Sequence, residues 1–444
     1  MGSEDLSLRV TVIGTGYLGL THAVCMADLG HQVLALDVDE EKVAKAARGE
    51  APFFEPGLEP LLRKNLDAGR LRFTSDFAEV GEFGDVHFVC VGTPQKKGST
   101  AADLTFVHSA FDALAPHLTR ETLVVGKSTV PVGTTRELAP RVRAAAPAGD
   151  QVGIAFNPEF LREGYAVQDS LTPDRLVFGV TSEDDERTLR RVYATPLASG
   201  TPSLTMDIET AELVKVAANS FLATKISFIN VMAEVCEAAG ADVTKLAGAI
   251  GLDDRIGKKF LAAGLGFGGG CLPKDIRAFR ATAGDLGVDS LVDLLTTVDT
   301  INLGRRDRVM ALAREGAGGD LAGKRVAVLG VAFKPNSDDI RDSPSLDIVK
   351  RLAAEQADVY VYDPVAMPNA ARVTSDASYA ESAAQAIEHA DVVLHLTEWA
   401  EFKAIDPATL RETVASPVLV DGRCTLDADQ WRAAGWTVYA PGRP

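Results

Sequence analysis

A glycine pattern near the start of the chain constrains the fold more than any other feature. Gly14, Gly16 and Gly19 follow the apolar run Arg9–Ile13 and precede a helical stretch, and Asp37 ends the next apolar run. The first two glycines permit a tight turn and the close approach of a pyrophosphate to a helix N-terminus, and the third permits close packing of helix on strand. The segment therefore predicts a strand, turn, helix and strand that bind a dinucleotide.

The acid at Asp37 indicates which dinucleotide is bound. A carboxylate at this spacing binds the ribose 2′-hydroxyl, whereas a 2′-phosphate needs an arginine nearby. Asp37 is followed by Val38 and Asp39, with no arginine alongside. We therefore expect NAD rather than NADP.

Further apolar runs extend this unit into a sheet. They occupy residues 86–91, 123–125 and 152–156 and alternate with helical segments. That alternation is typical of a parallel sheet covered on both faces. We predict an N-terminal NAD-binding Rossmann domain over residues 1–203.

A second α/β unit follows a helical region. The pattern from residue 208 to residue 239 is helical without a proline, and such a helix spans about 48 Å. Strand patterns return at residues 324–330, but the turn there lacks the second and third glycines of the dinucleotide pattern. The fold class predicted is α/β, with two Rossmann-like doubly wound domains joined by a central helical domain (204–316) containing one long helix; the C-terminal α/β domain (317–444) holds another ligand.

Composition excludes several classes of protein. A chain of 444 residues suits about three domains. Its net charge of -17 argues against nucleic acid as a partner, since phosphates need a positive surface. The five cysteines are widely spaced and odd in number, which predicts neither a disulfide framework nor a zinc site, and the seven histidines form no metal-binding motif. We expect no metal.

The expected location is the cytoplasm. The first eight residues are polar and leave no room for the apolar region of a signal peptide. The longest apolar run, residues 213–235, is interrupted by Lys215, Asn219 and Lys225 among others, which are costly in lipid. We interpret it as a buried helix and expect no membrane association.

The segment from 266 to 275 contains the candidate nucleophile. Cys271 follows three consecutive glycines that leave its thiol accessible, and Pro273 can begin a helix. A helix N-terminus and the nearby Lys274 both favour the thiolate, which attacks carbonyls. Cys25, Cys90 and Cys236 lie in apolar segments and are interpreted as structural.

A thiol beside NAD has a specific chemical meaning. Oxidation of an alcohol produces an aldehyde, and addition of the thiol forms a hemithioacetal that can lose a second hydride to give a thioester. Hydrolysis then releases an acid. The combination indicates a four-electron oxidation of an alcohol to a carboxylate.

Two further pairs of polar residues remain ambiguous from spacing alone. Glu159 and Glu163 follow a strand, and either is a general base or an acid favoured at a helix N-terminus. Lys215 and Asn219 share one face of the long helix. The lysine either pairs with a carboxylate such as Glu212 or stabilises an oxyanion with Asn219 as second donor.

These motifs resemble those of the UDP-glucose 6-dehydrogenase family, within the UDP-glucose/GDP-mannose dehydrogenase superfamily. The resemblance covers essentially the whole chain and includes residues 14–19, 54–58, 91–94, 127–131, 157–164, 215–219, 266–275, 333–335 and 421–423. It implies UDP-glucose, or a close nucleotide sugar, as substrate, and oxidation of its C6 alcohol to give UDP-glucuronate with two NADH formed. It also implies a dimer or larger homo-oligomer formed through the central domain.

The resemblance assigns roles to individual residues. It implies that Cys271 is the catalytic thiol, Glu159 the acid/base residue, Lys215 and Asn219 the oxyanion stabilisers, and Asp275 and Thr129 the residues that position a water. The implied NAD-binding residues are Gly14, Gly16, Tyr17, Leu18, Gly19, Asp37, Lys42, Thr93, Thr129, Glu163, Lys274 and Arg341. The implied substrate-binding residues are Phe160, Leu161, Arg162, Lys215, Asn219, Phe267, Gly268, Gly269, Phe333, Lys334 and Arg423, with Arg255 reaching the neighbouring subunit's site.

Departures and alternatives remain. Gly270 stands where many relatives have serine, and His87 inside the third strand has no functional explanation. The same chemistry on TDP-glucose, GDP-mannose or a UDP-N-acetylhexosamine is an alternative. TDP-glucose is the hardest to separate, because the one methyl group that distinguishes its base changes recognition by only about 1 to 3 kcal/mol. An inactive NAD-binding regulatory protein conflicts with the intact set of catalytic residues. A one-step hydroxyacid dehydrogenase leaves the 266–275 segment unexplained.

Overall fold

The computed structural model describes residues 7–444. Strands and helices alternate over the first half of the chain, and again near its C-terminus. The chain divides into two compact units, with the boundary between Ala218 and Asn219 inside a long helix. The α/β fold class expected from the sequence is confirmed.

The first unit contains an eight-stranded sheet. Its strands are β1 (Arg9–Ile13), β2 (Gln32–Leu36), β3 (Leu71–Thr74), β4 (Val86–Val89), β5 (Thr122–Gly126), β6 (Val152–Phe156), β7 (Leu176–Gly179) and β8 (Ser203–Met206). They are ordered 3-2-1-4-5-6-7-8, and every adjacent pair is parallel except β6 and β7. The first six strands have the order of a dinucleotide-binding domain.

Within the described residues of the first unit, nine α-helices accompany this sheet. They are α1 (Tyr17–Asp28), α2 (Glu40–Ala47), α3 (Leu58–Asp67), α4 (Phe77–Phe83), α5 (Thr105–Leu114), α6 (Thr134–Ala145), α7 (Ala166–Leu171), α8 (Glu183–Val192) and α9 (Ala194–Ala198). Two apolar clusters, one including Leu20 and Phe88 and the other Phe111 and Ile154, form the core. Polar caps begin several helices; the Asp39 carboxylate, for example, accepts hydrogen bonds from two backbone N–H groups of α2.

A single helix, α10 (Ile208–Ala239), runs for 32 residues. Its predicted bounds are confirmed. By length and composition alone it could cross a membrane, but 44% of its most apolar stretch is buried. Glu212, Lys215 and Asn230 are also buried on it, and such residues are costly in lipid unless they face protein. We interpret α10 as a core helix.

The second unit adds helices and a six-stranded sheet. After α10 come α11 (Val243–Ile250), α12 (Leu272–Asp285) and α13 (Asp289–Gly316). The strands are β9 (Arg325–Leu329), β10 (Asp358–Tyr362), β11 (Ser378–Tyr379), β12 (Val392–His395), β13 (Val418–Asp421) and β14 (Thr437–Tyr439). They form an all-parallel sheet ordered 11-10-9-12-13-14. The accompanying helices are α14 (Pro344–Ala354), α15 (Met367–Ala371), α16 (Ala383–Ile387), α17 (Ala400–Lys403), α18 (Pro407–Arg411) and α19 (Ala428–Ala433).

Five short strands escaped the sequence analysis, namely β3, β7, β8, β11 and β14. Each has at most four residues, and all except β7 are partly exposed and so lack the continuous buried run of β4. One consequence is a correction: His87 lies on the fourth strand, not the third. Its Nδ1 is 2.8 Å from the Thr11 hydroxyl, and burial lowers its pKa to about 3. A Cβ on Gly84 would lie 2.4 Å from the His87 ring, so this glycine makes room for a neutral, buried imidazole.

Candidate active site

The turn after β1 fits the pyrophosphate of a dinucleotide. Gly16 caps α1 in an extended conformation, and the first turn of α1 has no acidic residue to repel an anion. A Cβ on Gly16 would meet nothing within 4 Å, so space remains in front of the helix. A Cβ on Gly19 would lie 1.7 Å from the Gly14 carbonyl oxygen, which explains why only glycine suits this helix-to-strand contact.

Asp37 lies at the end of β2, as expected for a ribose-binding acid. One of its oxygens accepts hydrogen bonds from the Thr15 backbone N–H and hydroxyl, both at 2.8 Å. The other accepts from the Asp39 N–H at 3.1 Å and keeps further acceptor capacity. Lys42 lies 3.6 Å from the Asp39 carboxylate on an exposed surface. Asp37 is thus held rigidly by the glycine turn itself.

A buried ion pair follows β6. The Lys215 ammonium on α10 lies 2.8 Å from the Glu159 carboxylate, with side chains 5% and 11% exposed. The second Glu159 oxygen accepts from the Leu161 N–H at 2.6 Å. Burial by itself raises the pKa of Glu159, but the Lys215 charge and hydrogen bond outweigh it and lower the pKa overall. Glu159 is therefore a carboxylate at neutral pH, oriented by a lysine.

Lys215 does not pair with Glu212, the carboxylate suggested above as its structural partner. Glu212 instead accepts hydrogen bonds from the backbone N–H groups of Gly133 and Thr135, at 2.6 and 2.9 Å. These groups belong to the start of α6, so Glu212 accepts hydrogen bonds from the N-terminus of the helix that follows Thr129. Lys215 pairs with the candidate acid/base residue.

Glu55 is a site residue to which the sequence analysis gave no role. It is 6% exposed, and its two oxygens accept from the backbone N–H groups of Gly164 and Ala166, each at 2.7 Å. It also accepts from the Tyr17 hydroxyl. Burial raises the pKa of Tyr17, and the Glu55 carboxylate raises it further. Glu55 thus ties the dinucleotide turn to the segment that carries Glu163; only its place in the 54–58 motif hinted at this.

The residues after Glu159 have mixed environments. The Arg175 guanidinium lies over the Phe160 ring, with its Cζ 3.7 Å from the ring centroid. The Lys215 ammonium lies 5.8 Å from the same centroid. Arg162 is bound by the Asp169 carboxylate at 2.6 Å. Glu163 is buried. In this conformation Arg162 is engaged by its own chain.

Cys271 is exposed and caps α12, which contains Pro273 in its first turn. The predicted helix N-terminus behind the thiol is confirmed. The other four cysteines are buried or half-buried, and burial raises the pKa of Cys25 and of Cys90 to about 12. Among the described cysteines, Cys271 alone is open to a reactant.

Asp275, near the start of α12, binds two polar side chains. It is buried, and its two carboxylate oxygens accept from the Asn219 side-chain amide at 2.7 Å and the Lys274 ammonium at 2.8 Å. Asn219 therefore bonds to the candidate water-positioning acid, one turn of α10 beyond Lys215. This contact between residues 56 positions apart was not foreseen.

Close neighbours surround the three glycines before Cys271. A Cβ on Gly268 would lie 2.3 Å from the Asp342 carbonyl oxygen, and one on Gly269 would lie 2.6 Å from the Phe333 ring. A Cβ on Gly270 would lie 2.4 Å from the Arg341 guanidinium carbon. A serine at 270 would thus displace the end of Arg341, which in this structure is paired with Asp339 at 2.6 Å.

Arg423 holds several loops of the second unit together. Its guanidinium donates to the backbone oxygens of Leu396, Gly266 and Phe333 at 2.7, 2.8 and 3.1 Å. The Lys334 ammonium lies 5.3 Å from the Phe333 ring centroid. Of the basic residues expected at the nucleotide, Arg423 therefore contacts the 264–268 backbone directly.

Three other predicted positions differ in their exposure to solvent. Arg255 is 89% exposed and pairs with Asp253 of its own chain. Thr93 is buried, whereas Thr129 is half-buried. Within residues 7–444, no group of three or more His, Cys, Asp or Glu side chains is arranged to hold a metal.

Three family models match consecutive parts of the chain. They are the NAD-binding domain of the UDP-glucose/GDP-mannose dehydrogenase family over residues 8–197, its central domain over 209–303 and its UDP-binding domain over 327–428. The matched NAD-binding domain contains the glycine turn and Glu159, which supports NAD as cofactor.

Individual relatives indicate the same family as the three family models. A UDP-glucose 6-dehydrogenase from Rhizobium meliloti is 43% identical over 98% of this chain and 100% of its own length. A UDP-glucose dehydrogenase structure from Pyrobaculum islandicum is 37% identical, covers 100% of this chain and 99% of its own, and has a TM-score of 0.91. A UDP-D-ManNAc dehydrogenase structure from Pyrococcus horikoshii is 25% identical, covers 98% and 99%, and has a TM-score of 0.85. The chain belongs to the UDP-glucose/GDP-mannose dehydrogenase family of NAD-dependent oxidoreductases.

Proposed function

We propose that this protein oxidises the C6 alcohol of UDP-glucose to a carboxylate, producing UDP-glucuronate in two successive oxidations. The observation that carries the proposal is the exposed Cys271 thiol at the N-terminus of α12 in a chain with an NAD-binding turn. When NAD is bound, it supplies the hydride acceptor for each oxidation. In an NAD-dependent alcohol oxidation, a nucleophilic thiol is needed only where the aldehyde is carried on to an acid.

UDP-glucose is favoured over other nucleotide sugars by degree of similarity. The UDP-glucose enzymes are 43% and 37% identical to this chain, against 25% for the UDP-D-ManNAc enzyme. A UDP-binding domain model matches residues 327–428. The alternatives TDP-glucose, GDP-mannose and UDP-N-acetylhexosamines share the chemistry and are separated by assay below.

Cys271 supplies the covalent step. Its sulfur adds to the C6 aldehyde carbon, forming a C–S bond as the carbonyl oxygen takes up a proton. Oxidation of this hemithioacetal gives a thioester, and water then adds to the carbonyl carbon while the C–S bond breaks. The Cys271 thiolate leaves and the acid is released. The α12 N-terminus stabilises the negative sulfur.

The Glu159 carboxylate is the proposed acid/base residue. Its ion pair with Lys215 keeps it ionised and oriented, so it can accept the proton of an alcohol or of an attacking water. Lys215 and Asn219 are the proposed donors to an oxyanion, and Asp275 and Thr129 the proposed residues that position water. The bonds from Asn219 and Lys274 to Asp275 support this role by orienting its oxygens.

The proposed division into domains is supported by the three family models. We propose an NAD-binding domain over 1–203, a central domain over 204–316 and a UDP-sugar domain over 317–444. In an acidic protein, basic residues such as Lys334 and Arg423 would bind the diphosphate locally. A cytoplasmic location is proposed, because the nucleotide sugar and NAD are both available there.

We further propose a homodimer formed along α10, and this yields a testable prediction. Phe221, Phe228 and Val235 recur every seven residues, share one face and are 67%, 50% and 53% exposed. An apolar stripe of this kind marks an interface. Phe228→Glu is expected to yield monomers in sedimentation velocity, whereas Phe106→Glu, at another exposed phenylalanine, should leave the assembly unchanged. A Phe228→Glu protein that sediments like the unmodified one would contradict this interface.

The proposed reaction has a measurable stoichiometry. We expect two NADH per UDP-glucose consumed, with no free aldehyde, because the aldehyde is captured as a thioester precursor. Absorbance of NADH and chromatography of the sugar nucleotide give the ratio. One NADH per sugar would rule out the four-electron reaction. Running TDP-glucose, GDP-mannose, UDP-N-acetylglucosamine and NADP in parallel tests the preference for UDP-glucose and NAD.

A further inference from the structure

A lysine that the proposed mechanism does not use is buried just after β5. Lys127 is 6% exposed. Its ammonium lies 2.9 Å from the side-chain oxygen of Asn157 and 3.4 Å from the Tyr193 hydroxyl. It also lies 5.8 and 5.9 Å from the ring centroids of Phe88 and Tyr193. The lysine is therefore enclosed by neutral groups.

This environment is costly for a charge. Over the part of the chain that the structure describes, no carboxylate oxygen lies within ion-pair distance of the Lys127 ammonium, although hydrogen bonds and aromatic faces offset part of the cost. Burial accordingly lowers the pKa of Lys127 to about 8. A methionine would fill the same space without a charge, so stability gives no reason to keep a lysine here.

The contacts of Lys127 lead to Glu159. The Asn157 side-chain oxygen accepts from Lys127 and, at 2.6 Å, from the Tyr193 hydroxyl. The Asn157 amide donates to the Val177 carbonyl oxygen, and its backbone N–H donates to that of Gly126, both at 2.9 Å. Asn157 is thus held on every side, two residues before Glu159.

The charged and titratable groups around Lys127 are few. They are Glu159, Lys215, Cys90 at the end of β4, Tyr193 after α8, and His22 on α1. Burial raises the pKa of Cys90 to about 12 and lowers that of His22 well below its usual value. Both are neutral near pH 7, so Glu159 is the anion on which the Lys127 charge acts.

We propose that Lys127 is a positioning residue for Glu159: its ammonium holds Asn157, and so the 157–159 segment, in the orientation that places the Glu159 carboxylate against Lys215. This inference rests on the proposed role of Glu159 in the oxidation. Lys127 itself need not touch the substrate. Its charge adds to that of Lys215 in keeping Glu159 ionised.

The test replaces Lys127 with methionine. The Asn157 oxygen keeps its bond from Tyr193, so Lys127→Met leaves no buried acceptor without a donor. We expect kcat to fall roughly 10- to 100-fold, as for a displaced catalytic group, with KM for NAD nearly unchanged. If the kcat of the wild type falls as the pH rises through about 8, where Lys127 loses its proton, that fall should be absent from the variant. Tyr193→Phe, which keeps the ammonium, should retain kcat within about threefold.

Stability separates positioning from a structural role. Lys127→Met is expected to have a Tm at pH 7 equal to or above that of the wild type, because a desolvated charge is removed. A lower Tm, or a kcat within about twofold of wild type, would overturn the inference while leaving the proposed function intact. Wild-type protein that forms no NADH from any sugar in the panel would refute the proposed function instead, and the Tm comparison at pH 7 would still test Lys127.

Discussion

Cys271→Ser is expected to bind NAD and the nucleotide sugar but to lose acid formation by at least about 10³-fold, as when an enzyme's nucleophile is removed. A serine hydroxyl is a far weaker nucleophile and a poorer leaving group than a thiolate. The thiol is exposed at a helix N-terminus, and serine is close to cysteine in size and shape. Turnover by NADH absorbance and ligand binding by calorimetry check the two halves of this expectation.

A second cysteine provides the control for this result. Cys236 is 3% exposed and packs in an apolar cluster with Ile229 and Leu261. Cys236→Ala should lower stability slightly and leave kcat unchanged, because its thiol meets no reactant. If Cys271→Ser formed acid at the wild-type rate, there would be no thioester step, and the protein would oxidise its substrate by another route.

Lys215→Met is expected to have the largest effect on stability, about 3 to 5 kcal/mol in the free energy of unfolding, together with a large loss of kcat. The reason is that Glu159 would stay buried with its charge unpaired. Denaturant titration measures the first effect. The exposed Arg190–Glu186 pair, with side chains 44% and 27% exposed, offers a control, and Arg190→Met should cost about 0.5 kcal/mol or less.

The pH dependence of stability should change with the same substitution. In the wild type the folded pKa of Glu159 is lowered, so its contribution is present above the unfolded pKa and is lost as pH falls through the folded value. Without Lys215 the pKa of Glu159 rises, and the penalty then grows as pH increases from the unfolded pKa of Glu159 through its raised folded pKa. A Lys215→Met protein with a constant deficit across this range would contradict the ion-pair explanation.

Much of the fold was accessible from local patterns. The glycine turn at 14–19, the helix from Ile208 to Ala239 and the helix N-terminus at Cys271 all depend on residues close in sequence, and each is confirmed. Most of the missed strands are short and partly exposed, so they lack a continuous apolar run. Because β3 was missed, His87 was assigned to the third strand and not the fourth.

The sequence by itself determined which chemical groups are available: a dinucleotide turn, an accessible thiol, two carboxylates after β6 and a lysine on the long helix. Only the tertiary structure decided their partners. Lys215 binds Glu159 rather than Glu212, Asn219 binds Asp275, Glu55 binds the 164–166 backbone, and Lys127 holds Asn157. These pairs are separated by 30 to 111 positions, so packing of the sheet and helices, and not spacing along the chain, brings them into contact.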